Sequence, residues 1–277
     1  MFDLTILWTH SPYIFSSDFI SVRYYSLFFA LGIIFVYVKT IIKLSKDINP
    51  KILDDVFIPC ILFMLLFSRI FHCLFYEFTY YSTNPIEIFL PFRLSPFEFT
   101  GYQGLSSHGG FVGFIFSFLI FYRKKMKFNL SIKFLDTVFY YSIILIGFIR
   151  LGNFFNSEIL GKACTNSLCI IFPLFDSVPR YPVQLYESLT YFVIYIVLSF
   201  FREKIEAVPG RLLLLTVLFV SISRFLLEFL KDIQSDINIG VLTMGQLLTI
   251  PIVLISIIAL LVLNGIGKKY RQKKKIW

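Results

Sequence analysis

The chain has 277 residues, of which 57% are hydrophobic and 16% charged, with a mean hydropathy of +0.77. Soluble domains carry roughly 25% charged residues, so the composition excludes an ordinary soluble domain and points to a polytopic membrane protein. A net charge of +9 raises nucleic acid as a partner, but the charges are placed as membrane topology requires.

Met1 to Ile20 holds Asp3, His10, Pro12 and Asp18 and no basic start, so no cleavable signal peptide is expected there. Apolar spans are read at about residues 20–42, 52–75, 107–122, 134–149, 184–200, 211–230 and 241–266. Each is close to the roughly 20 residues that a spanning helix needs. The expected fold is all-α, a single membrane-embedded domain over 1–277 with seven transmembrane helices. The segments Lys39–Lys51, Arg123–Lys133, Arg202–Arg211 and Lys268–Lys275 hold 18 of the 26 Lys and Arg residues, leaving eight on the opposite side. By the positive-inside rule the basic side is cytoplasmic, with the N-terminus outside and a basic cytoplasmic tail at 268–277. The positive charge then serves topology and attraction to anionic lipids of the inner leaflet; no nucleic acid is expected. Segments 76–106 and 150–183 become extracytoplasmic insertions.

The polar residues within this frame are few and specific. Arg23-Tyr24-Tyr25-Ser26 puts a tyrosine hydroxyl at the outer end of the first span, where interfacial aromatic anchors are usual. Cys60 and Cys73 in the second span read as packing residues. Gly104-Leu105-Ser106-Ser107-His108-Gly109-Gly110 opens the third. His108 is one of three histidines and the natural candidate for a base near neutral pH; the alternative is a satisfied interfacial histidine. The glycines after it allow close backbone approach. No second ligand stands at metal spacing beside it, so no metal is expected.

The fourth span ends in Gly147-Phe148-Ile149-Arg150-Leu151-Gly152-Asn153-Phe154-Phe155-Asn156-Ser157-Glu158-Ile159-Leu160-Gly161. Arg150 and Asn153, with Asn156 and Ser157 one step off, share a helical face. A cation followed by carboxamides and a carboxylate at the end of an apolar segment can hold an anionic headgroup. The alternative is a plain helix end, with Arg and Asn reaching water and Gly161 closing the cap. Cys164 and Cys169 lie in an outer loop, where a disulfide is chemically permitted but not dictated by the spacing. Pro179 to Glu187 leads into the fifth span with Gln184 and Glu187 on one face. Arg224 and Glu228, four apart, close the sixth as a pair whose mutual neutralisation would make burial tolerable. Met244-Gly245-Gln246 opens the last with a small residue and an amide.

A charge at bilayer depth costs about 2.5–3.5 kcal/mol even on the lenient insertion scale. Arg69, Arg150, Arg224 and Glu228 all fall at or inside outer span ends, which predicts a shared polar cavity opening outward. A transporter would be expected to show broken helices near the midplane, or charges on the cytoplasmic halves as well. The clustering at one end favours a surface lipid enzyme over that alternative, and over a receptor-like or structural module.

The ordered set Ser-His-Gly-Gly, Gly-x-x-Arg-x-Gly-Asn-Phe-x-Asn-x-Glu-x-x-Gly, Pro-x-Gln-Leu-Tyr-Glu, Arg-Phe-x-x-Glu-Phe and Met-Gly-Gln resembles the bacterial prolipoprotein diacylglyceryl transferase family. The match runs from about Tyr25 to Pro251. The resemblance implies a bacterial plasma (inner) membrane enzyme with its active site facing the extracytoplasmic side. Its partners would be membrane lipid, namely phosphatidylglycerol, and prolipoprotein signal peptides with a lipobox cysteine; no cofactor is implied. Carried over by motif, Arg150 matches the headgroup arginine, Arg224 a second essential arginine, His108 the essential histidine and Tyr25 an essential first-helix tyrosine. Asn153 and Gly161 match further signature positions. Asn156, Glu158, Gln184, Glu187, Glu228 and Gln246 complete the expected substrate-binding set. The chain departs from the pattern at Ser26, usually Gly, at Val220, often Tyr, and at Lys231-Asp232, where an Arg-x-Pro-Asp tail is usual.

Overall fold

A computed structural model describes residues 5–17, 21–94, 97–99, 104–165, 169–232 and 242–274. In order the elements are β1 (Thr5–Leu7), β2 (Tyr13–Ser16), β3 (Ser21–Arg23), α1 (Tyr24–Leu44), α2 (Pro50–Phe75) and α3 (Phe78–Thr83). A 3-10 turn (Pro85–Ile88), β4 (Phe92–Leu94), β5 (Phe97–Phe99), α4 (Ser107–Lys125), α5 (Phe128–Phe155) and β6 (Cys169–Ile171) follow. α6 (Val183–Phe200), α7 (Arg202–Glu206), α8 (Arg211–Leu227), a second 3-10 turn (Glu228–Leu230) and α9 (Met244–Lys274) complete the chain.

Among the described residues six helices, α1, α2, α5, α6, α8 with its 3-10 extension, and α9, are long and apolar enough to cross a membrane. The protein is a multi-pass membrane protein. The expected third span is the exception: α4 has a shorter apolar stretch, His108–Tyr122, because glycines and His108 open it and Arg123, Lys124 and Lys125 close it. The basic tail expected at 268–277 is described only as far as Lys274. Six short strands, paired β1–β6, β2–β3 and β4–β5, are what the all-α expectation lacked. Runs of three or four residues are too short to register as a two-residue period.

The chain divides into two compact units, one of 1–16, 21–40 and 132–277, the other of 17–20 and 41–131. In the second unit Asn49 caps α2, its side chain accepting from the Lys51 N–H at 2.9 Å, with Pro50 at the first helical position. α2 packs along α4. Gly109 and Gly113, one turn apart, sit on the carbonyls of Phe67 and Phe63, where any Cβ would collide. Small residues at that spacing are what permits two helix backbones to touch. Arg69 is 5% exposed and donates to the Tyr81 hydroxyl at 2.8 Å and the Ile88 carbonyl at 3.3 Å. It anchors segment 76–99, where the sequence reading expected a cavity-lining cation. Glu87 accepts from the Tyr80 hydroxyl at 2.6 Å and the Leu94 N–H at 2.9 Å. The Tyr80 hydrogen bond holds its carboxyl below the usual range.

In the first unit α8 packs against α6 and α9. Asp136 of α5 caps the start of α8, accepting from the N–H groups of Gly210 and Leu213, both at 2.7 Å. Gly210 makes the turn at a φ of +83° that few other residues adopt. Past α5, Phe154, Leu160, Ile170 and Phe172 form a buried cluster against which Trp8, Phe155 and Leu185 pack. β1 runs parallel to β6 with Ile6 opposite Ile170. A disulfide joins Cys164 to Cys169, resolving the alternative that spacing left open. Through the buried cluster Leu160, Ile170 and Phe172 pack on Phe154 near the end of α5.

Candidate active site

α5 runs through Arg150 and Asn153 and ends at Phe155, so Gly161 is not its cap. Arg150 and Asn153 do share a face: Nη1 of Arg150 donates to Oδ1 of Asn153 at 3.3 Å. Nδ2 of Asn153 then donates to one carboxylate oxygen of Glu158 at 3.2 Å, and Nδ2 of Asn156 to the other at 3.1 Å. Glu158 is exposed, yet both its oxygens are held. The turn that presents it has Ser157 and Ile159 at φ 54° and 56°. Such left-handed conformations cost about 1–3 kcal/mol outside glycine. The Glu158 carbonyl is fixed by the amide of Gln184 at 2.7 Å. Gly161 bridges to Lys231 and lies on the Tyr181 carbonyl, where a Cβ would collide.

α6 supplies a buried face in Gln184, Glu187, Ser188 and Tyr191, the three- and four-residue spacing of one helical stripe. Ser188 docks it on α5 by donating to the Gly147 carbonyl at 3.0 Å. Glu187 is fully buried and shared between two cations: Oε2 lies 3.0 Å from Nε of Arg150, and Oε1 lies 2.9 Å from Nζ of Lys231. Neither contact has hydrogen-bond alignment, so both are ionic. Lys231, itself buried, lies 3.0 Å from Oε2 of Glu228 as well. The other Glu228 oxygen accepts from the Thr243 hydroxyl at 3.3 Å and rests against Gly245, where a Cβ would strike it. Gln246, 1% exposed, accepts from the Thr243 N–H at 3.1 Å and donates to the Phe225 carbonyl at 3.4 Å.

The expected Arg224–Glu228 pair is corrected by this arrangement. Among the described residues Glu228 is paired with Lys231. Glu228 keeps the helical backbone bond to the Arg224 carbonyl, but its carboxylate reaches Lys231, three residues on. Tyr191 lies buried on the same stripe of α6 as Glu187, and Arg224 lies in the last turn of α8. Tyr25 packs on the same helix end, its Cα 2.9 Å from where a Cβ on Gly152 would lie, and acts electrostatically on Arg150 and Glu158.

The first unit thus brings together Tyr25, Arg150, Asn153, Asn156, Glu158, Gly161, Gln184, Glu187, Arg224, Glu228 and Gln246. His108 belongs to the second unit, exposed in the first turn of α4. Sequence reasoning missed Lys231 and Tyr191. Periodicity could have found both, since Tyr191 is four residues after Glu187 and Lys231 three after Glu228. It also left Arg180 without a partner. Its guanidinium donates to Asp176 at 2.6 Å, Asp232 at 2.6 Å and the Gly161 carbonyl at 3.0 Å. The Asp176 hydrogen bonds raise Arg180 above its usual value and hold Asp176 below the usual carboxylate range. Three cations (Arg150, Arg224, Lys231) stand against two carboxylates (Glu187, Glu228) in the interior of the site. That leaves one positive charge in excess, with Glu158 at the margin. Among the described residues no three His, Cys, Asp or Glu are grouped to hold a metal ion.

Residues 12–262 match the family model described as prolipoprotein diacylglyceryl transferase. A Bacteroides fragilis protein named phosphatidylglycerol–prolipoprotein diacylglyceryl transferase is 39% identical over 263 residues, 92% of this chain and 94% of the relative. A Chloroherpeton thalassium protein of the same name is 35% identical over 272 residues, 97% of each chain. One from Tolumonas auensis is 32% identical over 263 residues, 92% of this chain and 96% of its own.

Proposed function

The chain belongs to the prolipoprotein diacylglyceryl transferase family, and we infer from that premise that it transfers the diacylglyceryl group of phosphatidylglycerol to prolipoproteins. The acceptor is the thiol of the lipobox cysteine in the signal peptide. The protein sits in the bacterial inner membrane with α4 counted as a seventh spanning helix, its N-terminus outside and its C-terminus inside. Segments 76–106 and 150–183 then face outward with the site, an orientation supported by the basic residues gathered on the other side.

In the reaction the thiolate sulfur attacks the diacylglyceryl carbon that bears the phosphate ester oxygen. The C–S bond forms, the C–O bond breaks, and its electron pair leaves with glycerol phosphate. Arg150 and Arg224 hold the phosphate, since guanidinium forks suit phosphate oxygens. A second negative charge develops on the leaving phosphate, and fixed donors at the edge of a low-dielectric site stabilise it most effectively. Glu187 and Asn153 grip Arg150 from two sides. Glu158 and Glu228 orient their neighbours or a glycerol hydroxyl. His108 accepts the thiol proton, directly or through water, because a thiol of pKa about 8.5 is mostly unreactive near neutrality. No enzyme nucleophile takes part, so no covalent intermediate forms.

The observation that carries this reading is the buried Arg150–Glu187–Lys231 chain of charges where apolar helices end. The test combines the purified protein, vesicles of phosphatidylglycerol and a lipobox peptide, with thioether-linked diacylglycerol read by mass spectrometry. Arg150→Ala is expected to lose on the order of a hundredfold or more, as removal of a donor to the developing charge does elsewhere. No transfer by the wild type, or full activity in Arg150→Ala, overturns it.

A further inference from the structure

Glu158 is exposed, yet its carboxylate is fixed more firmly than an exposed side chain needs. Nδ2 of Asn153 donates to one oxygen at 3.2 Å and Nδ2 of Asn156 to the other at 3.1 Å. The backbone beneath is held as well. The Glu158 N–H donates to the Asn153 carbonyl at 2.9 Å, and the Glu158 carbonyl accepts from Nε2 of Gln184 at 2.7 Å. Ser157 and Ile159, on either side, both have positive φ. That conformation is rare for a β-branched residue such as Ile159 and persists only where the surroundings impose it.

An ionised carboxylate has about four lone-pair positions, and the two amides occupy one on each oxygen. Each oxygen can therefore accept once more. Beside it, Oδ1 of Asn156 and Oε1 of Gln184 are buried and have no hydrogen-bond partner among the described residues. This side of the site is rich in acceptors, whereas Arg150 offers guanidinium donors. Asn153 joins the two: its Oδ1 accepts from Nη1 of Arg150 at 3.3 Å while its Nδ2 donates to Glu158. Donors and acceptors thus stand one carboxamide apart. A glycerol phosphate headgroup has the complementary order, with phosphate oxygens that accept at one end and a pair of adjacent hydroxyls that donate at the other.

We propose that Glu158 is a specificity-determining residue that accepts hydrogen bonds from the free glycerol hydroxyls of the lipid headgroup while Arg150 holds its phosphate. This rests on the assignment of Arg150 to the phosphate of phosphatidylglycerol.

The test compares phosphatidylglycerol with phosphatidylpropanol, which keeps the phosphodiester and the three-carbon headgroup but lacks the free hydroxyls. Transfer from each lipid to a lipobox peptide is measured as kcat/KM for full-length wild type and Glu158→Gln, alongside thermal unfolding. The wild type should prefer phosphatidylglycerol by about tenfold or more, as hydrogen bonds to a charged group imply. In Glu158→Gln the loss should fall mainly on phosphatidylglycerol, so that the preference drops towards parity. A wild type without preference overturns the assignment. So does a variant that loses equal factors on both lipids and keeps the preference, which is what a merely structural role gives. If Glu158→Gln does not fold, Asn156→Ala frees one carboxylate oxygen to turn; the preference should then fall by a smaller factor, and an unchanged preference refutes the role. A wild type that transfers nothing from either lipid removes the functional reading and this assignment with it. An active wild type indifferent to the hydroxyls removes this assignment alone.

Discussion

Glu187 is the single group whose loss should damage the site most. It is fully buried and is the shared counter-ion of Arg150 at 3.0 Å and Lys231 at 2.9 Å. At an effective dielectric of about 20 each contact is worth roughly 5 kcal/mol of gross attraction, most of which offsets the desolvation of the buried ions. Replacing the shared carboxylate takes from the buried Arg150 its carboxylate partner, while Lys231 keeps Glu228; breaking a buried pair in this way costs about 3–5 kcal/mol. Glu187→Gln has nearly the same volume, so the loss is electrostatic and not a cavity. At roughly 2–4 °C per kcal/mol for a protein of this size, the unfolding midpoint should fall by roughly 6–20 °C. Lys231→Met alone should cost less, because Glu187 keeps Arg150 and Glu228 keeps the Thr243 hydroxyl. The losses in the double variant should be less than additive, since both changes break the same Glu187–Lys231 contact. Thermal unfolding in detergent, followed by circular dichroism, measures all three. A Glu187→Gln midpoint within about 2 °C of wild type, or a double variant whose losses simply add, refutes the reasoning.

Further predictions concern the outer segment and the second unit. Asp176 titrates below the ordinary carboxylate range because Arg180 bonds its charged form. Its stabilisation of segment 160–182 is therefore fully present above about pH 4 and lost as pH falls through the lower, folded value. Hydrogen exchange of that segment should quicken in acid, and Asp176→Asn should abolish this pH dependence. Non-reducing mass spectrometry should find free thiols at Cys60 and Cys73 but not at Cys164 and Cys169. Replacing the bonded pair by serine should cost roughly 2 kcal/mol for so short a loop, read as a lowered unfolding midpoint. Gly109→Leu places a side chain on the Phe67 carbonyl and should destabilise the α2–α4 pair by about 1–3 kcal/mol.

What the sequence determined was whatever depends on residue type and short spacing. Long apolar runs mark the helices because lipid cannot satisfy a bare backbone. Arg150 and Asn153 meet because three residues apart on a helix is adjacency. The ordered motifs identified the family because they fix types at fixed offsets over most of the chain. The tertiary structure decided which charge meets which. Spacing favoured Arg224 with Glu228, but the Glu228 carboxylate pairs with Lys231, which stands between it and Glu187. Arg69 went to Tyr81 and Ile88, far from its own position in sequence but adjacent once segment 76–99 folds back. Pairings across helices depend on how each helix is rotated about its axis, and that is set by all its neighbours together, so no local stretch of residues encodes it.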